Sequence, residues 1–268
     1  MSVLLTEVRE FVGVMTLNRP EKHNAMNAEM FVRMAETWEA WATDPNVRCA
    51  VITGAGERAF SAGGDLGSLI PVLTRARPPQ DQFEATLLET HPRVRDVAML
   101  RTFFPKPVIA AINGFCIAGG TEVIEGTDIR ICTESATFGL PEVKRAILPA
   151  GGSLVRLTRQ MPFCRAMEVI LTGRSITAQE ALEYGFVNYV TPREQLLAKA
   201  MEIAREISEN GPLAVAAAKK AMIETSGMPL EQAYLIEDKA WDVVANSEDA
   251  KEGPLAFMEK RRPVYRGC

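Results

Sequence analysis

Two glutamates that stand twenty residues apart, Glu122 and Glu142, each follow a short glycine-containing motif. Glu122 comes two residues after Gly119-Gly120, and Glu142 ends the segment Phe138-Gly139-Leu140-Pro141-Glu142. Two carboxyl groups at one site repel each other's charge, so one of them holds its proton more tightly. Such a pair can divide acid–base work, because one carboxylate can take a proton from water while the other carboxyl group donates one.

Paired glycines occur at two places where an apolar strand leads into a turn. The stretch Ala59-Phe60-Ser61-Ala62-Gly63-Gly64-Asp65-Leu66 follows a predicted strand over 49–53, and Gly119-Gly120 follows a predicted strand over 107–112. A strand that leads into a helix start directs free main-chain N–H groups at one point. Because glycine has no Cβ, a ligand oxygen can approach that backbone closely. Bare donors beside an acid favour enolate chemistry, and the alternative is a tight turn next to a solvated acid.

Hydrophobic periodicity predicts the elements that position these residues. Residues 3–8 and 11–17 alternate as in a β-hairpin, and 28–42 has a helical repeat that Asn27 can cap. A buried strand over 47–53 follows, and further on a helix is expected from Thr121 to Gly126. Strands followed by helices recur along the chain, which predicts an α/β architecture with stacked turns.

The pattern changes at Arg193, after which helices are predicted over 193–209, 213–225, 230–245 and 248–260. We therefore divide the chain into an α/β core, residues 1–192, and a C-terminal helical region, residues 193–268. Two of these helices carry apolar residues on more than one side. A helix that is apolar beyond a single stripe must bury two faces, so we expect one face to meet a second subunit.

Composition excludes several classes of protein. A net charge of −4 argues against a nucleic-acid partner, and no apolar run approaches the length of about 18 residues that a membrane span needs. The five cysteines lack CxxC spacing and no secretory signal is visible, so we expect reduced thiols in a cytoplasmic protein. Two histidines without a cysteine cluster do not predict a metal site. No glycine run is followed by Gly-Lys-Ser/Thr, which excludes a phosphate-binding loop.

These motifs, in this order and spacing, resemble the crotonase (enoyl-CoA hydratase/isomerase) superfamily. The resemblance runs from Asn18-Arg19-Pro20-Glu21-Lys22-His23-Asn24 to Phe257-Met258-Glu259-Lys260-Arg261. It implies a spiral of repeated ββα turns with a C-terminal helical oligomerisation region. It also implies an acyl-CoA substrate with no separate cofactor, and a homotrimer or a hexamer built as a dimer of trimers.

The resemblance also implies a role for each site residue. Glu122 activates water, Glu142 donates a proton to the α-carbon, and the N–H groups of Gly64 and Gly119 bind the enolate oxygen. Ala150 stands where the family usually has glycine, and its methyl group would narrow the acyl site. The residues expected to contact coenzyme A or the acyl chain are Lys22, Ser61, Ala62, Gly63, Asp65, Leu66, Ala150, Phe257 and Lys260.

Two alternatives stay open beside an enoyl-CoA hydratase. One is another enolate reaction on the same scaffold, such as Δ3,Δ2-enoyl-CoA isomerisation, and the other is a catalytically silent protein that binds coenzyme A. The presence of both carboxylates favours the hydratase. The acyl group is not determined by the sequence, and we interpret Arg93, Arg95 and Arg101 as part of a solvated face.

Overall fold

A computed structural model describes residues 2–268 of the chain. Within that range the chain builds two sheets and a set of surrounding helices. The strands are β1 (Leu4–Arg9), β2 (Val12–Leu17), β3 (Cys49–Gly54), β4 (Ala59–Ser61), β5 (Val108–Ile112), β6 (Phe115–Ile117), β7 (Ile129–Thr133), β8 (Thr137–Gly139), β9 (Ser175–Thr177) and β10 (Tyr189–Thr191). The helices are α1 (Ala28–Thr43), α2 (Leu69–Leu73), α3 (Gln82–Thr90), α4 (Arg93–Ala98), α5 (Gly119–Ile124), α6 (Ser153–Gln160), α7 (Phe163–Thr172), α8 (Ala178–Glu183), α9 (Leu196–Glu209), α10 (Pro212–Thr225), α11 (Leu230–Ala245) and α12 (Glu248–Met258).

Both sheets follow the order of the chain. The first sheet has the order β1-β2-β3-β5-β7-β10, in which β1 and β2 form the antiparallel hairpin and every later pair is parallel. The second sheet has the order β4-β6-β8-β9, and only its last pair is antiparallel. Each turn of the chain therefore adds one strand to each growing sheet, and the predicted α/β spiral is confirmed.

Alternate residues along the first sheet face two different layers. Met15 belongs to the larger core, which also holds Trp38 of α1, whereas Val14 faces the opposite side. On that side the sheet is covered by α9, through small side chains such as Ala200 and Ala204. Because successive side chains of a strand point to opposite faces, both faces of a parallel sheet must be apolar and covered.

The C-terminal helices differ in how much of their surface is buried. Helix α9 packs against the first sheet and buries Leu196, Ala200, Met201 and Ala204. Helices α10 and α11 pack against each other and have no buried residue. Within the described residues, the helices without a buried residue thus begin after α9, and the predicted boundary at residue 192 precedes a helix that covers the sheet.

Several predicted boundaries are wrong. The helix predicted over 121–126 begins at Gly119 and ends at Ile124, so both glycines lie in its first turn. The helix predicted over 193–209 starts with a short 3-10 turn, Arg193–Gln195. The last helix ends at Met258 rather than at residue 260, where Lys260 adopts a left-handed φ of 56°. Within the described range no helix combines the length and the apolar composition that crossing a membrane would require.

Candidate active site

A cavity of about 260 Å³ lies where the two glycine stretches meet. It brings together most of the residues that the sequence singled out for chemistry. These are Ala62, Gly64, Leu66, Gly119, Glu122, Glu142 and Ala150. The remaining wall is largely apolar and includes Phe31, Leu69, Ile70, Leu87, Met99 and Ile117. The cavity therefore joins an acid pair to a space that suits an apolar acyl group.

The two glycine stretches approach each other so closely that side chains would not fit between them. A Cβ at Gly63, whose φ is +88°, would lie 2.9 Å from the Gly119 nitrogen. A Cβ at Gly119 would lie 3.4 Å from the Gly64 nitrogen. The contact is possible because these residues carry no side chain. Gly64 and Gly119 consequently line one cavity from two separate segments of the chain.

Two hydrogen bonds fix the orientation of the Gly64 amide. The Met26 N–H donates to the Gly63 carbonyl at 2.8 Å, and the Asp65 N–H donates to the Met26 carbonyl at 2.9 Å. Gly64 lies between these two bonds, in a parallel bridge with Met26. Gly119 is the first residue of α5, so its N–H has no intrahelical partner. The Glu122 N–H donates to the Ala118 carbonyl at 3.1 Å, so the peptide group that carries the Gly119 N–H is also held by the main chain.

Glu122 lies on the buried helix α5, and 5% of its surface is exposed. The Gly151 N–H donates to its carboxylate, while burial and the nearby Glu142 raise its pKa to about 7. A Cβ at Gly151 would lie 2.8 Å from the Glu122 carboxyl carbon, so the glycine is needed for this contact. A carboxyl group that titrates near neutral pH can both take and return a proton.

Glu142 lies in the 3-10 helix Pro141–Arg145, on another wall of the cavity. It is buried, and its Oε2 has no hydrogen-bond partner within the described residues. Burial raises the pKa of this carboxyl group above its usual value. The two acids therefore line the same cavity, and the pKa of each is raised above its usual value.

The remaining residues of the first glycine stretch brace the loop. The Ser61 hydroxyl donates to the Asn24 carbonyl at 2.9 Å and accepts from the Gly63 N–H at 3.1 Å. Asp65 accepts from Arg19 Nη1 at 2.9 Å and from the Gly67 N–H at 2.9 Å. Ser61, Gly63 and Asp65 do not line the cavity. Any contact they make with coenzyme A stays a prediction.

Three residues predicted to touch coenzyme A lie away from the cavity lining. Lys22 is exposed at the end of a 3-10 turn, and Phe257 has 85% of its surface exposed. Lys260 is exposed just beyond α12. The structure does not bring these three side chains into the wall formed by Glu122 and Glu142.

Sequence reasoning missed some of the polar residues at the site. Arg95, interpreted as solvated, lines the cavity together with His91. Glu125 was not singled out, although it is 2% exposed and lies one helical turn beyond Glu122. Its distance of three residues from Glu122 could have indicated that the two side chains lie on the same face of the helix. Within residues 2–268 no group of three His, Cys, Asp or Glu side chains could hold a metal ion.

Known proteins resemble this chain over nearly its whole length. The model of the enoyl-CoA hydratase/isomerase family matches residues 7–267. Enoyl-CoA hydratase EchA19 of Mycobacterium tuberculosis is 44% identical over 262 residues, which are 98% of this chain and 96% of that protein. Carnitinyl-CoA dehydratase of Escherichia coli K12 is 40% identical over 258 residues, 94% of each chain.

The fold is shared with solved structures. The crystal structure of enoyl-CoA hydratase from Bacillus anthracis superposes with a TM-score of 0.89 at 37% identity. That comparison covers 99% of this chain and 100% of the other. The two relatives are a hydratase and a dehydratase that are named for different acyl-CoA thioesters, and the family model covers isomerases as well.

Proposed function

The chain belongs to the enoyl-CoA hydratase/isomerase family, and from this premise we propose that it adds water across the 2,3 double bond of an enoyl-CoA thioester. The observation that carries the proposal is the geometry of one cavity. Glu122 and Glu142, both buried, line it together with Gly64 and Gly119, and this shared lining supports the proposal. Hydro-lyase chemistry at an acyl-CoA thioester is common to the named relatives.

In the proposed reaction, Glu122 takes a proton from water as the oxygen attacks C3 of the enoyl group. Electron density moves to the thioester oxygen, which the N–H groups of Gly64 and Gly119 stabilise. Removal of a single donor of this kind from other enzymes costs about 2.7–4 kcal/mol of transition-state stabilisation. Glu142 then donates a proton to C2, and the hydroxyacyl thioester is complete. Dehydration follows the same steps in reverse.

Binding of coenzyme A is proposed along the first glycine stretch. The main chain of Ser61 and Ala62 would contact the adenine, and Lys22 would lie near the pantetheine or phosphates. Gly63, Asp65 and Leu66 would form the rest of the coenzyme A site, while Ala150 would border the acyl group. No separate cofactor enters this reaction, because coenzyme A arrives as part of the substrate.

The assembly proposed is a homotrimer, or a hexamer formed by two trimers. Large apolar side chains on α11 support it, including Tyr234, Leu235 and Trp241, which are 57%, 60% and 68% exposed. Patches of this kind on the surface of a monomer mark interaction sites. Phe257 and Lys260 would then complete the coenzyme A site of a neighbouring subunit. The five free cysteines support the further proposal of a reducing, cytoplasmic location.

The test is loss of the conjugated enoyl-thioester absorbance when purified protein is added to trans-2-enoyl-CoA. Short, medium and branched acyl chains should be tried, and the product should be identified as a 3-hydroxyacyl-CoA by mass. A shifted double bond without a mass gain of water would indicate an isomerase. No change with any substrate, together with measurable binding of coenzyme A, would indicate a silent binding protein.

A further inference from the structure

Glu125 is a buried acid that the proposed reaction does not use. Glu125 is the C-cap residue of α5 and follows Glu122 by three positions. The two carboxyl groups therefore lie on the same side of the helix. Only 2% of Glu125 is exposed, and its Oε2 has no hydrogen-bond partner within residues 2–268. A buried carboxyl group without a full set of partners is costly to ionise.

Ser153 connects this acid to Glu122. Its hydroxyl donates to Glu125 Oε1 at 2.8 Å, while the N–H of Gly151, two residues earlier in the chain, donates to the Glu122 carboxylate. Ser153 is fully buried at the first position of α6, immediately after Gly152, whose φ is +138°. The hydrogen bond to Glu125 therefore anchors the helix start that directly follows the Gly151 amide bound to Glu122.

The cations nearest to Glu125 do not neutralise it by direct contact. Arg130 donates to main-chain carbonyls and to the Gln160 side chain, and Arg156 donates to the Met99 and Leu100 carbonyls. Neither guanidinium donates a hydrogen bond to Glu125. The other titratable groups whose charges act on this acid, or on which it acts, are Glu122 and the buried thiol of Cys116.

The electrostatic setting agrees with this geometry. Burial raises the pKa of Glu125 to about 8, and the charge of Glu122 acts in the same direction. The Ser153 hydrogen bond and the two arginines lower it by less. Around Glu122 the further charges are Glu142, which raises its pKa, and Arg101, which lowers it. At neutral pH Glu125 therefore holds its proton more tightly than Glu122 does.

We propose that Glu125 is a positioning residue for Glu122: it keeps its proton at neutral pH and, through the Ser153 hydroxyl, anchors the helix start next to the Gly151 amide, which binds the Glu122 carboxylate. The neutral Glu125 leaves Glu122 as the ionised member of the pair, which is the form that takes a proton from water. This role rests on the proposed function, since it assumes that Glu122 is the base.

The first test does not depend on activity. Glu125→Gln imitates a protonated carboxyl group, and Glu89→Gln, at an exposed position of helix α3, is the matched control. Wild-type Glu125 favours folding most at low pH and loses that contribution as pH rises towards about 8. The melting temperature of Glu125→Gln relative to wild type should therefore increase from pH 5 to pH 9. A difference that stays constant, as expected for Glu89→Gln, would overturn the proposal.

The second test uses the pH profile of kcat/KM. If Glu125 holds the proton, Glu125→Gln leaves the acid limb due to Glu122 where it is in wild type. If Glu122 holds the proton instead, the acid limb of the Glu125→Gln profile shifts to lower pH and the proposal fails.

Ser153→Ala should lower kcat about three- to tenfold, as expected for one hydrogen bond. The Glu125→Leu/Ser153→Ala double variant should be no worse than the worse single one, and additive losses would contradict the connection.

The two tests separate this proposal from the proposed function. A wild-type protein that hydrates no enoyl-CoA overturns the function, while the melting comparison still decides whether Glu125 carries a proton. A constant melting difference in an active hydratase overturns the role of Glu125 alone.

Discussion

At the scale of single residues, the two acids of the cavity set the expected pH dependence. Burial, together with the charge of Glu142, raises the pKa of Glu122 to about 7. Because the proposed base must be ionised, kcat/KM for hydration should rise with pH through about 7. Stopped-flow or steady-state assays from pH 5 to pH 9 would measure the midpoint. An acid limb near the ordinary carboxyl range of about 4 would contradict the assignment.

Removal of either acid tests the division of labour between them. Glu122→Gln and Glu142→Gln should each lower kcat by roughly 10²–10⁴, since each side chain transfers a proton in the proposed reaction. The double variant should be little worse than the weaker single variant, because the two groups act as a unit. Circular dichroism provides the control for folding. Full hydratase activity in Glu142→Gln would exclude the mechanism with two carboxyl groups.

The sequence predicted the chemical role of a residue where that role depends on its neighbours along the chain. Paired glycines before Glu122 indicated close main-chain donors, and the structure brings Gly64 and Gly119 together. Glu125 was missed because its proposed role depends on a hydrogen bond from Ser153. That residue lies in a helix that starts 28 residues later. Only tertiary structure creates that contact.

At the scale of elements, a salt bridge between Arg19 and Asp65 joins the segment before α1 to the first glycine stretch. Arg19 Nη1 lies 2.9 Å from Asp65 Oδ2 and also donates to the Ala25 carbonyl. Partial burial raises the pKa of Asp65, but Arg19 and the N–H groups of two following residues outweigh burial, so the pKa is lowered. The bridge thus holds the loop that carries the Gly64 amide.

Asp65→Asn should destabilise the protein by roughly 1–3 kcal/mol at pH 7, since a charged hydrogen-bond acceptor is lost. A lowered folded-state pKa means that the contribution is present above the unfolded pKa and disappears as pH falls through the folded value. The difference in the free energy of unfolding from wild type should therefore shrink below about pH 4. Urea denaturation at pH 7 and pH 3 would measure it. An undiminished difference at pH 3 would show that the ion pair is not its cause.

Long periodic elements were predictable, whereas short ones were not. Helix α1 and its cap Asn27, whose side chain accepts from the Met30 N–H, match the prediction within one residue. The strands of the second sheet that have three residues carry too few positions to show alternation. The start of α5 was misplaced because glycine has poor helix propensity, and tertiary packing of α5 against β4 and β6 overrides it.

At the scale of the whole molecule, α10 and α11 have no buried residue, and we expect a second subunit to cover them. Trp241→Glu places a charge in the proposed subunit contact and should convert trimers or hexamers into monomers, since burying an unpaired charge is costly. Light scattering at micromolar concentration would measure the mass. Glu237→Gln on the same helix is the control. A monomeric wild-type protein with full activity would contradict both the assembly and the shared coenzyme A site.

The order of strands has a consequence for how the chain can fold during synthesis. In both sheets the spatial order equals the order of appearance, so each strand that leaves the ribosome can add to the one before it. Domains commonly begin to fold from the N-terminus while translation continues. One face of the first sheet, however, waits for α9, which comes after its last strand. Until about residue 209 has emerged, the nascent sheet displays Val14, Val51 and Ile109 to the surroundings, and this is the interval in which a chaperone would have a surface to bind.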